Sequence, residues 1–130
     1  MTHPARHIAV SIDRAAGDVY SYASNPENLP AWASGLGSVR RDGDAWVSDM
    51  DIGRVRIAFA PRNDLGVLDH DVTLPDGTTF HNPMRVVPNG GGCEVTFTLF
   101  RLPGVPDEEH EKDAATIAKD LVALKTVMER

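Results

Sequence analysis

The chain has 130 residues, with 13 Lys and Arg against 19 Asp and Glu, a formal net charge of −6 at pH 7. Its size fits one domain that can remove roughly two-thirds of its unfolded surface from water, which excludes a multidomain enzyme and any need for a disulfide or metal to fold. With 42% hydrophobic and 25% charged residues it reads as globular rather than disordered or membrane-embedded, and its acidity disfavours nucleic acid, which requires concentrated positive charge.

Cys93 is the only cysteine, so an internal disulfide and a cysteine-rich zinc site are excluded and a reducing compartment is expected. The first residues, Met1 to Arg6, run into an alternating segment without the apolar core of a secretory signal, and no apolar stretch approaches the ~20 residues of a membrane span. These features predict a cytoplasmic protein with no integral membrane segment. No internal repeat or low-complexity tract is visible.

In chain order, His7 to Ile12 alternates and places Ile8, Val10 and Ile12 on one face of a first strand. Asp13 stands where a helix N-cap belongs. From Ala15 to about Ser24 the apolar positions Val19, Tyr22 and Ala23 recur at helical spacing, and Asn25-Pro26 ends the run. A second short helix is predicted over Glu27 to Ala33, carrying Leu29 and Trp32, with Gly35 and Gly37 stopping it. From Ser38 to Leu102 the period becomes two, interrupted at Asp42-Gly43-Asp44, Ile52-Gly53, Asn63-Asp64, Asp76-Gly77 and Asn89-Gly90-Gly91-Gly92. This predicts an antiparallel meander of about six strands. From Asp107 to Glu129, Ile117, Leu121, Leu124 and Met128 form one stripe of a long amphipathic helix. Acidic residues crowd its first turns and Lys125 and Arg130 its end, as the helix dipole favours.

This element order is that of the helix-grip fold, and the residues at both ends carry a resemblance to a known superfamily. Ile8-Ala9-Val10-Ser11-Ile12-Asp13-Arg14-Ala15-Ala16-Gly17-Asp18-Val19-Tyr20 is similar to the opening strand and helix start of the START-like (SRPBCC) superfamily, which includes polyketide cyclases, dehydrases and lipid-transfer proteins. Asn25-Pro26-Glu27-Asn28-Leu29-Pro30-Ala31-Trp32 resembles its Asp-Pro…Trp helix-turn-helix, and Asp120 to Glu129 its closing helix. Ala15 departs from the proline that many members carry at the helix start. The resemblance implies an α+β class: a curved antiparallel sheet of about seven strands wrapped around a long C-terminal helix, with two short helices after the first strand. Such a sheet leaves an elongated apolar cavity between itself and the helix, the usual form of a small-molecule site.

Requiring apolar residues to meet apolar residues across strands gives a register for that wall. A three-residue loop Asp76-Gly77-Thr78 pairs Leu74 with Phe80, Val72 with Asn82, His70 with Met84 and Leu68 with Val86. A turn at Gly90-Gly91 pairs Met84 with Phe97 and Val86 with Val95. Turns at Asn63-Asp64 and Ile52-Gly53 pair Phe59 with Leu68, Ile57 with His70, Ser48 with Ile57 and Trp46 with Phe59. The same registers set Arg56 opposite Asp71 and Arg85 opposite Asp69 outside. Ser48, His70 and Asn82 are then the polar groups of an otherwise apolar wall, and each needs a partner, water or a ligand.

The candidate ligand-binding residues are Ser48, His70, Asn82, Trp46, Ile57, Phe59, Phe80, Met84, Phe97 and Trp32. His70 is the candidate catalytic residue, an imidazole able to donate, accept or shuttle a proton. Asp69 and Asp71 should face outward, which disfavours an Asp-His dyad. His81 also falls outside, and no metal-ligand spacing occurs, so no metal is expected. Cys93 reads as a small buried hydrophobe, and Gly90-Gly91-Gly92 precedes a strand and reads as a turn. With no dinucleotide or phosphate-loop motif, no cofactor is expected. The leading expectation is a binding protein for a hydrophobic small molecule, a lipid or polyketide-like aromatic. The resemblance also allows a polyketide cyclase/dehydrase-type enzyme using His70 as acid or base. A protein-interaction role like that of the superfamily's chaperone activators, without a small-molecule ligand, is a third.

Overall fold

Alternation and turn chemistry set the architecture of the computed structural model, which describes residues 1–130. The elements are β1 (Ala5–Ile12), α1 (Ala16–Ala23), a 3-10 helix (Pro26–Ala31), β2 (Val39–Asp42), β3 (Ala45–Met50), β4 (Gly53–Phe59), β5 (His70–Thr73), β6 (Thr79–Asn82), β7 (Met84–Asn89), β8 (Gly92–Phe100) and α2 (Asp107–Met128). This is the α+β helix-grip arrangement, its strands antiparallel and divided between two sheets, ordered β1-β8-β7 and β2-β3-β4-β5-β6.

The division has a covalent cause. Thr79 to Asn89 would be one strand, but Pro83 has no N–H to give a ladder and interrupts it, so β6 pairs with β5 while β7 pairs with β8. The sheets stay coupled at the bend. Thr98 N–H donates to the Pro83 carbonyl (3.0 Å), Leu68 N–H to Met84 (2.8 Å) and Val86 N–H to Gly66 (2.9 Å).

The β7–β8 register is the expected one, Met84 opposite Phe97 and Val86 opposite Val95. Three other registers differ by a two-residue shift. Trp46 faces Ile57 rather than Phe59, and Ser48 faces Val55 rather than Ile57. Phe59 faces His70 rather than Leu68, and Ile57 faces Val72 rather than His70. His70 faces Asn82 rather than Met84, and Val72 faces Phe80 rather than Asn82. A shift of two leaves every side chain on its own face, so matching apolar to apolar cannot detect it. The turns decide it instead. Met50 pairs with Gly53 around Asp51-Ile52, one position earlier than expected. The hairpin loop has the expected three residues but is Pro75-Asp76-Gly77, closed by Leu74 N–H on the Thr78 carbonyl (2.8 Å) with Gly77 at φ 90°.

The Asn63 side chain builds the β4–β5 connection, accepting from the Leu65 and Val67 amides (3.0 Å each) and donating to the Pro61 and Val67 carbonyls (2.9 and 3.0 Å). On the outer face Asp69 meets Arg85 in a two-pronged ion pair (3.0 and 2.8 Å), reached diagonally, since the residue opposite Arg85 is Val67 rather than Asp69. Arg56 does not face Asp71. It opposes Thr73 and pairs with Asp42 (2.9 Å), while Asp71 pairs with His81 (2.6 Å).

Helix α2 lies across β1, burying Leu121, Leu124 and Met128 among Ile12, Val19, Leu68, Met84 and Val95. Polar bonds fasten its C-terminal end. Lys125 Nζ donates to the Ser11 carbonyl (2.7 Å), Arg14 to that of Met128 (3.0 Å), and Asp13 N–H to Glu129 Oε2 (2.7 Å). Asp13 thus serves the helix grip rather than capping α1, whose N-cap is Ala15 with no side-chain bond. The expected second helix is a single 3-10 segment ending at Ala31, begun by Asn25, whose side chain accepts from Glu27 N–H (3.1 Å).

Candidate functional site

The curved sheet and α2 do not close on each other completely. Between them, under the 3-10 helix and the segment after it, lies a cavity of about 410 Å³. That is within the ordinary range for small-molecule sites, ~300–1,000 Å³. Strands β4 to β6 supply Ile57, Phe59, Val72 and Phe80, with Met84 of β7 and Phe97 of β8 behind them. Leu29, Trp32 and Leu36 form the roof, and Ile117 and Leu121 of α2 the opposite side.

His70 and Asn82 face each other across β5 and β6 and are the polar groups of the sheet wall. The His70 ring stacks on Phe59 (centroids 4.9 Å apart) and presents an edge to Phe97 (6.1 Å). Its Nδ1 lies 2.9 Å from the Leu68 carbonyl oxygen. A carbonyl can only accept, so Nδ1 carries the proton and neutral His70 holds its lone pair on Nε2, which has no partner within the protein. Burial pushes the imidazole below its ordinary value of 6.5; the Leu68 bond and the charges of Asp69 and Asp71 oppose this without prevailing. Both aspartates point outward, committed to Arg85 and His81. The Asn82 amide makes no side-chain hydrogen bond and faces the cavity with its donors and acceptor free.

Of the residues singled out in the sequence, Trp32, Ile57, Phe59, His70, Phe80, Asn82, Met84 and Phe97 line the cavity. Trp46 and Ser48 do not. The two-residue shift of β3 against β4 carries Ser48 beyond the cavity to Val55, where it is fully buried with its hydroxyl unpartnered, and leaves Trp46 half-buried beside Ile57 and Arg41. Cys93 is buried at the β1–β8 pairing, where desolvation raises its thiol.

Sequence reasoning missed the contribution of α2. Glu109, Asp113, Thr116 and Asp120 line the mouth. Their spacing of four, three and four residues puts them on one helical face beside Ile117 and Leu121, a signal readable by following the apolar stripe toward the N-terminus. Asp120 fastens the roof: it accepts from Ser34 N–H (3.0 Å) and from the Ser34 hydroxyl. Partial burial raises its carboxyl despite those bonds.

Residues 6–129 match the family described as polyketide cyclase / dehydrase and lipid transport. The chain belongs to this family. No curated protein matches the sequence. Among solved structures, the polyketide cyclase/dehydrase and lipid transport fold is shared with a START superfamily protein from Mycobacterium smegmatis (TM-score 0.67, 20% identity, 96% of this chain and 97% of that one). An uncharacterised protein from Bacillus thuringiensis superposes with a TM-score of 0.77 at 16% identity, covering 96% of this chain and 98% of that one. DynU16, a protein in the dynemicin biosynthetic locus, aligns with a TM-score of 0.74 at 16% identity, over 96% of this chain and 47% of that one.

Proposed function

We propose that this member of the family binds a hydrophobic small molecule, a lipid or polyketide-like aromatic, between sheet and α2. The observation that carries the reading is the cavity itself: about 410 Å³ walled by aromatic and aliphatic side chains, with His70 and Asn82 side by side and unsatisfied toward it. An apolar body displaces poorly bonded water from such walls, and two polar groups suffice to orient it. A protein whose role lay in its surface alone would gain stability by filling this space. Ligand recovered from the purified protein and weighed by native mass spectrometry tests the reading. The expected result is a small, apolar adduct; a protein that neither carries nor takes up such a compound contradicts it.

A second reading, catalysis of the polyketide cyclase/dehydrase kind, is favoured by one feature: the neutral His70, whose Nε2 lone pair is the free end of an imidazole in an apolar cavity. Such a group can take a proton from an activated carbon or hydroxyl of a chain held in place by the walls. Incubating the recovered compound with wild type and His70→Ala separates the two. Turnover lost in the variant, by about a hundredfold or more, identifies a base. A compound bound unchanged by both, with only its affinity altered, identifies a binder.

A further inference from the structure

The charged groups at the cavity mouth share one sign. Glu109, Asp113 and Asp120 line it together, while no lysine or arginine does. Helix-start chemistry accounts for Asp107, Glu108 and Glu109, which lie in the first turn of α2. It does not account for Asp113 or Asp120, since the dipole's effect fades beyond that turn. Glu109 and Asp113 stand four residues apart on the same face, a like-charge spacing that weakens a helix. Neither forms an ion pair within the protein, although Arg6, Arg101 and Lys125 pair with other acids of α2 or its flank. Lys112 and Lys119 are exposed on α2 outside the cavity lining, and Lys119 acts on Asp120 only as a minor opposing charge.

The deeper polar group has the same preference. His70 spends its only N–H on the Leu68 carbonyl and offers the cavity an acceptor at Nε2. The lining thus holds carboxylates at the mouth and an imidazole lone pair on the wall, with donors limited to the Asn82 amide, the Thr116 hydroxyl and the Trp32 indole. The Trp32 Nε1 is itself buried without a partner. A carboxylate or phosphate headgroup would enter against three acids with no cation to receive it.

From this lining, and resting on the small-molecule reading above, we infer that the cavity selects a cationic, donor-bearing amphiphile: an apolar, ring-sized body carrying a protonated amine toward Glu109, Asp113 and Asp120, rather than a fatty acid or phospholipid anion. The amine takes the place of the absent lysine or arginine. A hydroxyl on the ring body donates to His70 Nε2.

Three fluorescent probes with one skeleton test this: 9-anthracenylmethylamine, 9-anthracenemethanol and 9-anthracenecarboxylate, titrated into the full chain at neutral pH and low salt. The alcohol reports on the apolar cavity alone, so the other affinities are read as ratios to it. The amine should bind at least about fivefold tighter than the alcohol and the carboxylate at least about fivefold weaker, as expected for partly solvated charges. The Glu109→Gln, Asp113→Asn double variant, altered only at exposed positions, should contract the amine-to-carboxylate ratio by about fivefold. Salt near ~1 M, where the screening length falls to about 3 Å, should contract it in the wild type without any substitution. Alcohol binding with the carboxylate equal to or tighter than the amine overturns the charge selection and leaves the cavity reading standing. A ratio unmoved by both the double variant and salt overturns the assignment to these carboxylates. Failure of all three probes to bind overturns the cavity reading and the selection together.

Discussion

His70 owes its character to its surroundings more than to its own chemistry. Phe59 and Phe97 strip it of water, Leu68 takes its one proton, and the neighbouring carboxylates are already paired with Arg85 and His81. Its lowered pKa has a stability consequence of definite sign. Well above pH 6.5 the imidazole is neutral in both folded and unfolded chains and contributes no pH dependence; as pH falls through that value the unfolded chain takes a proton that the folded one resists. Stability is therefore lost as pH falls from 6.5 through the lower folded value. Urea unfolding of wild type and His70→Gln across that window should show a loss in the wild type that the variant lacks. Parallel curves would mean that the imidazole protonates freely in place. Ser48 is a polar group whose removal should do no harm. Its buried hydroxyl has no partner, so Ser48→Ala should leave the melting temperature unchanged or raise it, by up to about 1 kcal/mol in stability. A loss beyond about 1 kcal/mol would reveal a bonded hydroxyl.

At the scale of elements, alternation and helical spacing were enough to read the first strand, the meander, the faces of its strands and the long helix. The cavity-facing identity of Ile57, His70 and Phe97 followed from phase alone, since phase survives a two-residue slip. Which residues stand opposite one another did not follow, because turns decide it, and the turns here depend on features with no periodicity. Gly66 is the clearest. It sits at φ +72° where β4 returns toward β5, its carbonyl accepts from the Val86 N–H, and a Cβ there would lie 2.1 Å from the Val86 carbonyl oxygen. Gly66→Ala should cost about 2–4 kcal/mol, read by thermal or urea denaturation. Gly43, also at positive φ (64°) but with open space around it, should cost only about 1–2 kcal/mol when replaced by alanine. Equal losses would mean that backbone strain alone governs both. Pro83 was legible as a residue but not as a division, since only the partners of β6 and β7 show that the arm bends there. The acidic face of α2 was hidden for a different reason. Glu109 belongs to the acidic run that helix-start chemistry explains, and the face it shares with Asp113 and Asp120 became visible only once the helix was seen over the cavity.

For the molecule as a whole, the arrangement is a helix held firmly at one end and bordering a cavity along the other. The C-terminal half of α2 is tied to β1 and the start of α1 by Lys125, Arg14 and Glu129, while its N-terminal half carries Glu109, Asp113 and Ile117 along the cavity. Ile117 reaches the space from the helix and is only half-buried, so a larger side chain there has room to enter without displacing the packed core. Fluorescence titration of neutral 9-anthracenemethanol into wild type and Ile117→Trp decides whether this space is a binding site. A single saturable site is expected in the wild type, weakened at least about tenfold in a variant that melts at the wild-type temperature or above, because the indole fills the cavity. Equal affinity in the two proteins, or no saturable binding to the wild type, would contradict it.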